Sequence, residues 1–267
     1  MVKKILAKSF IYLILFLMYL PIFVLIVFSF TTSETIGVWD GFSFDLYAKM
    51  FQNEHLMQAV LNTLLIAITS AIVSTILGTL GAIGTFYSSK RYKKTVETIT
   101  QLPVVNAEIV IALSLAVLFV TFTGGKFTFL TLLIGHVVLT ISFVYLSVKP
   151  KLQQMDPNIY EAALDLGATP KHALFKIILP EIIPGIMSGF MLSLTLSLDD
   201  FVITQYLKEP SFETLSTYVQ KILSKRPMPP EVRALTTFIF LLAVIIVIIN
   251  NISTKKNTNK SLIKEGK

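Results

Sequence analysis

Apolar residues along this chain gather into runs of about twenty, separated by shorter polar intervals. A helix rises about 1.5 Å per residue, so a run of about 20 residues matches the roughly 30 Å hydrocarbon core of a bilayer. Six membrane spans are predicted, at about 8–30, 58–87, 98–122, 127–148, 184–206 and 233–252. The first follows Lys3, Lys4 and Lys8 and contains Pro21, which should kink it. Its apolar run exceeds the 7–15 residues, roughly, of a signal-peptide core and has no small-residue cleavage site after it, so it is expected to be an uncleaved span with its N-terminus inside. In the second, Ser70, Ser74, Gly78 and Ala82 recur every four residues and give the small face on which membrane helices pack closely. The third holds Pro103 and Glu108; the fourth, entered through the tight turn Thr123–Lys126, holds His136; the fifth holds Asp199 and Asp200. Residues 31–57 scatter Trp39, Phe42, Phe44, Tyr47, Met50 and Phe51 through a polar interval, the pattern of a short interfacial helix at the outer surface. The expected fold is an all-α integral membrane domain over 1–252 with a basic cytoplasmic tail at 253–267.

Composition agrees with that reading and narrows the chemistry. The 267 residues are 54% hydrophobic and only 15% charged, with a mean hydropathy of +0.72; a soluble domain carries about 25% charged residues. A net charge of +7 fits basic residues collecting at the cytoplasmic face better than nucleic-acid binding. Of the 23 Lys and Arg, 16 fall on the inner side of a six-span topology with both termini inside and 7 on the outer. The exception is the outer segment 207–233, which carries five. No cysteine is present, which excludes disulfides and thiolate metal sites. Gly78, Gly81 and Gly84 are no phosphate loop, because GxxxxGK[ST] occurs nowhere, so the chain has no ATPase site of that kind. His55, His136 and His172 are not at metal-ligand spacing, and no local Ser/His/Asp hydrolase motif occurs.

The polar interval 150–180 interrupts the spans. Asp156 with Pro157, and Thr169 with Pro170, each read as an N-cap followed by proline at the first helical position, and Gly167 is a natural helix stop. Two short helices meeting at a glycine bend are predicted, with Ala162, Ala163 and Ala168 keeping the surface small. Glu161-Ala162-Ala163, Gly167 after three intervening residues, and Ile177-x-Leu179-Pro180 resemble the EAA loop of ATP-binding-cassette (ABC) importer permeases. That resemblance implies a cytoplasmic coupling loop docking into a cleft on a separate ATPase, with Glu161, Ala162, Ala163 and Gly167 making the contact.

Carboxylates within a span are costly, roughly 2.5–3.5 kcal/mol each near its centre. Asp199 lies about 15 residues beyond Pro184, roughly 22 Å into the span. Two readings stand side by side. Asp199 and Asp200 either make interhelical hydrogen bonds or cap the second piece of a broken span, or they line a cation path with Phe190, Phe201 and Tyr206 available for cation–π contact. Glu108, nearer the cytoplasmic side, would extend such a path to the other half of the bilayer. His136, alone in an apolar span, reads most simply as a hydrogen-bonded packing residue.

Further residues narrow the resemblance. Ser197-Leu198-Asp199-Asp200, Pro210-Ser211-Phe212-Glu213, Pro230-Glu231-Val232-x-Ala234-Leu235, Trp39-x-Gly41-Phe42 and His136 are similar to the PotC-type permeases of spermidine/putrescine importers. Glu108 stands where that family commonly has an acidic residue. The resemblance implies a type I ABC importer permease fold and a complex containing two ATPase copies, a homologous partner permease and an extracytoplasmic polyamine-binding protein. ATP and Mg would sit on the partner ATPase, with no cofactor bound by this chain. Alternating access would carry polycations past acidic side chains. The competing expectations are an importer permease for another substrate and an ATPase-independent cation channel or carrier. No span core holds Lys or Arg, which argues against an anion; the second alternative leaves the EAA-like loop without a purpose.

Overall fold

The computed structural model describes residues 2–33, 35, 37–156, 158–224, 229–242, 244 and 245. Among them all regular structure is helical apart from an isolated bridge between Thr31 and Phe42. The helices are α1 (Val2–Ser29), α2 (Asp45–Gln52), α3 (Glu54–Phe86), α4 (Lys90–Val105), α5 (Glu108–Thr123), α6 (Phe129–Gln154), α7 (Ile159–Asp165), α8 (Pro170–Ala173), α9 (Leu179–Asp199), α10 (Val202–Leu207) and α11 (Leu215–Leu223). Residues 230–242 are helical as well. Among the described residues four stretches are long and apolar enough to cross a membrane: Lys8–Ser29, Glu54–Phe86, Phe129–Gln154 and Pro170–Asp199.

Two of the predicted spans take a different form. The third, expected as one helix over 98–122, is the pair α4 and α5, bent by 106° at a break between them. Asn106 and Ala107 are extended there, and Glu108 opens α5. The fifth begins earlier than expected. Its helix runs on from Pro170 through a wide π-turn, Leu174–Ile178, into α9 and stops at Asp199. In that turn Leu179 N–H donates to Leu174 O, five residues back. Pro180 and Pro184 supply no N–H for the α-helical ladder, and a local π-turn is one way a helix absorbs such a loss. The sixth expected span, 233–252, lies only partly within the described residues, and the tail 253–267 lies outside them.

The chain divides into two units, Met1–Met57 with Lys221–Lys267, and Gln58–Gln220. In the first, Phe30 stacks on Phe42 with ring centroids 5.6 Å apart, and Ser29 Oγ meets Tyr47 Oη at 2.9 Å. The expected interfacial helix is the eight-residue α2, which buries Leu46 and Met50. Arg233 is buried and donates from Nη2 to Ser33 O at 3.0 Å, while Asn53 Nδ2 donates to Glu231 Oε1 at 3.0 Å. These bonds tie the end of α1 and the start of α3 to the helix that follows residue 229.

The second unit is organised around α6. Gly78 of α3 comes so close that a Cβ there would lie 2.8 Å from the Val144 side chain and 3.1 Å from Ile141 O. On α9, a Cβ at Gly189 would lie 3.0 Å from Val144 Cα, and one at Gly185 would lie 3.0 Å from Ser147 O. Both helices present small residues every four positions: Ser70, Ser74, Gly78 and Ala82 on α3, and Gly185, Gly189, Ser193 and Ser197 on α9. Lipid tails are as apolar as leucine, so association in a bilayer rests on such close packing rather than on hydrophobic burial. Val144, Val148, Leu152, Ile178 and Ile182 fill the core toward one end of α6; Leu132, Leu139, Ile66, Ala112, Ile203 and Leu207 fill it toward the other.

Candidate functional site

The acidic pair at the end of α9 is split by the backbone. Asp199 is the last helical residue; Asp200 is extended (φ −64°, ψ 130°). Its carboxylate then restarts the chain as α10, Oδ1 accepting from Ile203 N–H at 3.0 Å and Oδ2 from Thr204 N–H at 2.8 Å and Thr204 Oγ1–H at 2.7 Å. Of the two readings offered by the sequence, capping of the second piece describes Asp200, which is buried. Asp199, one residue earlier, is exposed and makes none of these bonds.

Asp200 terminates a buried polar chain. Ser70 Oγ lies 2.9 Å from Ser197 Oγ, Ser197 Oγ 2.7 Å from His136 Nδ1, and His136 Nε2 3.1 Å from Thr204 Oγ1 and 3.5 Å from Asp200 Oδ2. With Thr204 donating to Asp200, a neutral His136 carrying its proton on Nε2 gives every donor an acceptor: Ser70 to Ser197, Ser197 to His136, His136 to Thr204, Thr204 to Asp200. A parallel link joins Ser74 Oγ to Thr140 Oγ1 at 2.7 Å, and Thr140 donates to His136 O at 2.8 Å. His136 is thus a hydrogen-bonded packing residue knitting α3, α6, α9 and α10 together. The sequence reading missed Ser70, Ser197 and Thr204 as members of this chain. It also missed the α9 stripe, whose four-residue spacing of small residues was the same signal already visible in α3.

Glu108 is exposed at the first turn of α5, which packs along α10. Asp200 and Asp199 lie close enough to act on it electrostatically. Glu108, at the start of α5, and the aspartates at the end of α9 therefore lie within electrostatic reach of one another. Tyr206, on α10, is exposed, and Phe201, just before it, is half-buried. Phe190 does not join them; it lies nine residues back along α9, about 13 Å along the axis from Asp199.

At the other end of the same helix, the bend is built as the sequence implies, with two differences. Gly167 has φ +86°, and Gly167 N–H donates to Leu164 O at 2.9 Å while Ala168 N–H donates to Ala163 O at 3.0 Å, the paired bonds of a Schellman motif. Thr169 caps the next helix, its Oγ1 accepting from His172 N–H at 3.3 Å, with Pro170 following. The first difference is that α7 starts at Ile159, after Asp156 Oδ1 has accepted from Asn158 N–H at 2.9 Å; Pro157 lies outside the described residues. The second is that the second helix is not short but continues to Asp199. Ala163 is buried, whereas Glu161, Ala162 and Gly167 are exposed. Leu166 is 90% exposed and Phe175 62%. Beside them, Ile83, Tyr87, Tyr160, Pro170, Lys171, Leu174 and Ile178 line a groove of about 360 Å³.

Residues 74–255 match the family described as "Binding-protein-dependent transport system inner membrane component". The spermidine/putrescine transport system permease protein PotC of Haemophilus influenzae is 34% identical over 254 residues, covering 95% of this chain and 98% of that protein. The putrescine transport system permease protein PotI of Escherichia coli K12 is 34% identical over 232 residues, covering 83% and 81%. Among solved structures, a bacterial ABC transporter involved in import of the acidic polysaccharide alginate superposes with a TM-score of 0.72 at 22% identity, over 96% of this chain and 95% of that one.

Proposed function

Because the chain belongs to the binding-protein-dependent transport system inner membrane component family, we propose that it is the permease subunit of an ATP-driven importer of polyamines such as spermidine and putrescine. The fold by itself does not choose the substrate, since the alginate transporter shares it. The observation that carries the choice is a pair of exposed carboxylates, Glu108 and Asp199, within electrostatic reach of each other where two helices break. Relatives 34% identical to this chain are named for spermidine and putrescine. Those ligands are polycations at neutral pH. A pair of carboxylates attracts such a ligand, while a dense acidic ring would retain it.

In this reading the domain over 1–252 crosses the membrane six times, both termini are cytoplasmic, and 253–267 is a basic cytoplasmic tail. Glu161, Ala162, Ala163 and Gly167 contact one of two ATPase copies, which hold ATP and Mg. A homologous permease completes the path, and an extracytoplasmic binding protein delivers the substrate. The Pro170–Asp199 helix, about 45 Å long, joins the ATPase-facing bend directly to the acidic site, so closure of the ATPase pair moves both ends of one element. Asp199 and Glu108 face the substrate, with Tyr206 and Phe201 beside them. Asp200 positions α10 and does not touch the substrate, and Phe190 stands further along the path.

The test is reconstitution of the importer with its ATPase and binding protein in vesicles, with polyamine-stimulated ATP hydrolysis and uptake both measured. Asp199→Asn and Glu108→Gln should lower polyamine uptake at least tenfold while basal hydrolysis persists. Uptake at the wild-type rate in the double variant would end the substrate assignment, and uptake surviving removal of the ATPase would end the coupling assignment.

A further inference from the structure

The helix α4 is unlike the other long helices of its unit: none of its residues is buried. Half-burial on Lys93, Val96, Glu97, Thr100 and Pro103 marks the side that meets α6. That side also consumes charge. Glu97, the only acid of α4, pairs with Lys149 of α6 at 2.9 Å, and Lys93 Nζ stands 5.6 Å from the centre of the Phe86 ring. The opposite face carries Arg91, Lys94, Thr95, Thr98, Leu102 and Val105, all exposed and spaced three and four apart. Its chemistry is graded along the helix: two cations, then two hydroxyls, then apolar side chains, ending in Val105 at 82% exposed. The hydroxyls of Thr95 and Thr98 donate back to Arg91 O and Lys94 O, so the cations remain as the outward donors. Arg91, Lys94, Thr95, Thr98 and Ile99 line a groove of about 510 Å³.

The contacts supply the orientation. Glu97 meets Lys149 near the C-terminal end of α6, whereas Glu108, just after α4, lies within electrostatic reach of Asp200 at the His136 level, about 20 Å back along α6, so α4 climbs along α6 from its basic end. Its basic end follows directly on α3, at the side where Tyr87 meets Tyr160 of α7 with ring centroids 5.2 Å apart. A surface that is cationic at one end, apolar at the other and about 24 Å long fits a molecule with an anionic head and hydrocarbon tails. A free phosphate ion has no use for Leu102 and Val105, and an acidic protein segment would leave them in water.

We infer that the outward face of α4 binds anionic phospholipid, Arg91 and Lys94 holding the headgroup phosphate and Ile99, Leu102 and Val105 lying against the acyl chains. The bound lipid braces the segment that leads into Glu108 from the side of the Gly167 bend. This holds whatever the importer carries.

The chain has no cysteine, so single-cysteine spin labels can be placed at Lys94, Thr98, Leu102 and Val105 in the assembled importer with cysteine-free companion subunits. The bilayer is phosphatidylcholine with phosphatidylglycerol. Collision with oxygen relative to a water-soluble nickel chelate should rise stepwise from position 94 to position 105. Native mass spectrometry of the same complex should show retained phosphatidylglycerol falling at least fivefold in Arg91→Gln/Lys94→Gln and unchanged in the control Lys126→Gln. Labels at 98–105 shielded from both reagents would mean that protein covers this face, and labels reached equally by the chelate would mean that water does. Either result overturns the inference, as does wild-type lipid retention in the double variant.

Discussion

The seam at Gly185–Ser197 and the bend at 159–175 lie within forty residues of one another, yet they solve opposite problems. Along the seam every fourth residue is small, backbones approach closely, and Ser197 and His136 find partners within the protein, while the buried Ser193 hydroxyl has none. At the bend the side chains that would ordinarily be covered, Leu166 and Phe175, are left in the open beside a groove. The seam is closed by packing within this chain. The bend is shaped from within, by the Schellman bonds and the Thr169 cap, but its outer surface is left open. Internal satisfaction is a signature of architecture, and well-ordered exposure a signature of docking.

The largest effect should come from breaking the seam. In Gly189→Leu the new side chain meets the Val144 backbone, which cannot rotate away, and overpacking of about 1–3 kcal/mol or more follows. Little folded protein should be recovered from the membrane, as judged by size-exclusion profile and thermal melting. The bend should respond oppositely. Glu161→Lys should leave melting unchanged but abolish substrate-stimulated hydrolysis by the ATPase; retained stimulation would show that this surface is not where the two proteins meet. Next come the two adjacent acids, which bring the same contrast down to neighbouring residues. Asp200→Asn replaces a carboxylate that accepts three bonds and should cost about 1–3 kcal/mol of stability, while Asp199→Asn should melt as wild type and lose uptake. Equal melting of both variants would erase the distinction between them. The smallest effect is Ser70→Ala, which removes one interhelical bond worth about 0.6 kcal/mol, detectable as a small shift in melting temperature with transport unaltered.

Much of this was legible in the residues. Apolar runs locate the long helices, and Gly167-x-Thr169-Pro170 announces a stop and restart because glycine and proline act locally. The break before Glu108 was hidden by an apolar run that continues through it, although an acid at position 108 is also what a new helix start favours. Asp200 carried a similar signal, since aspartate just before Val202 can cap as readily as it can face a path. The π-turn left no trace in hydropathy, which does not register how many residues a turn contains. The approach of Glu108 to Asp199 was beyond reach, because the two are ninety-one positions apart and meet only through the packing of α5 on α10.

The wide turn at Leu174–Ile178 sets an angular relation that no side chain in it expresses. Its extra residue is absorbed within one wide turn, so the segments on either side face as they would in a regular helix one residue shorter. The azimuth at which the Gly167 bend leaves the molecule is therefore keyed to the stripe that grips α6. Inserting one more residue between 174 and 178 without a second wide turn would keep both surfaces intact and rotate one by about 100° relative to the other, like a crank remounted on the wrong spline.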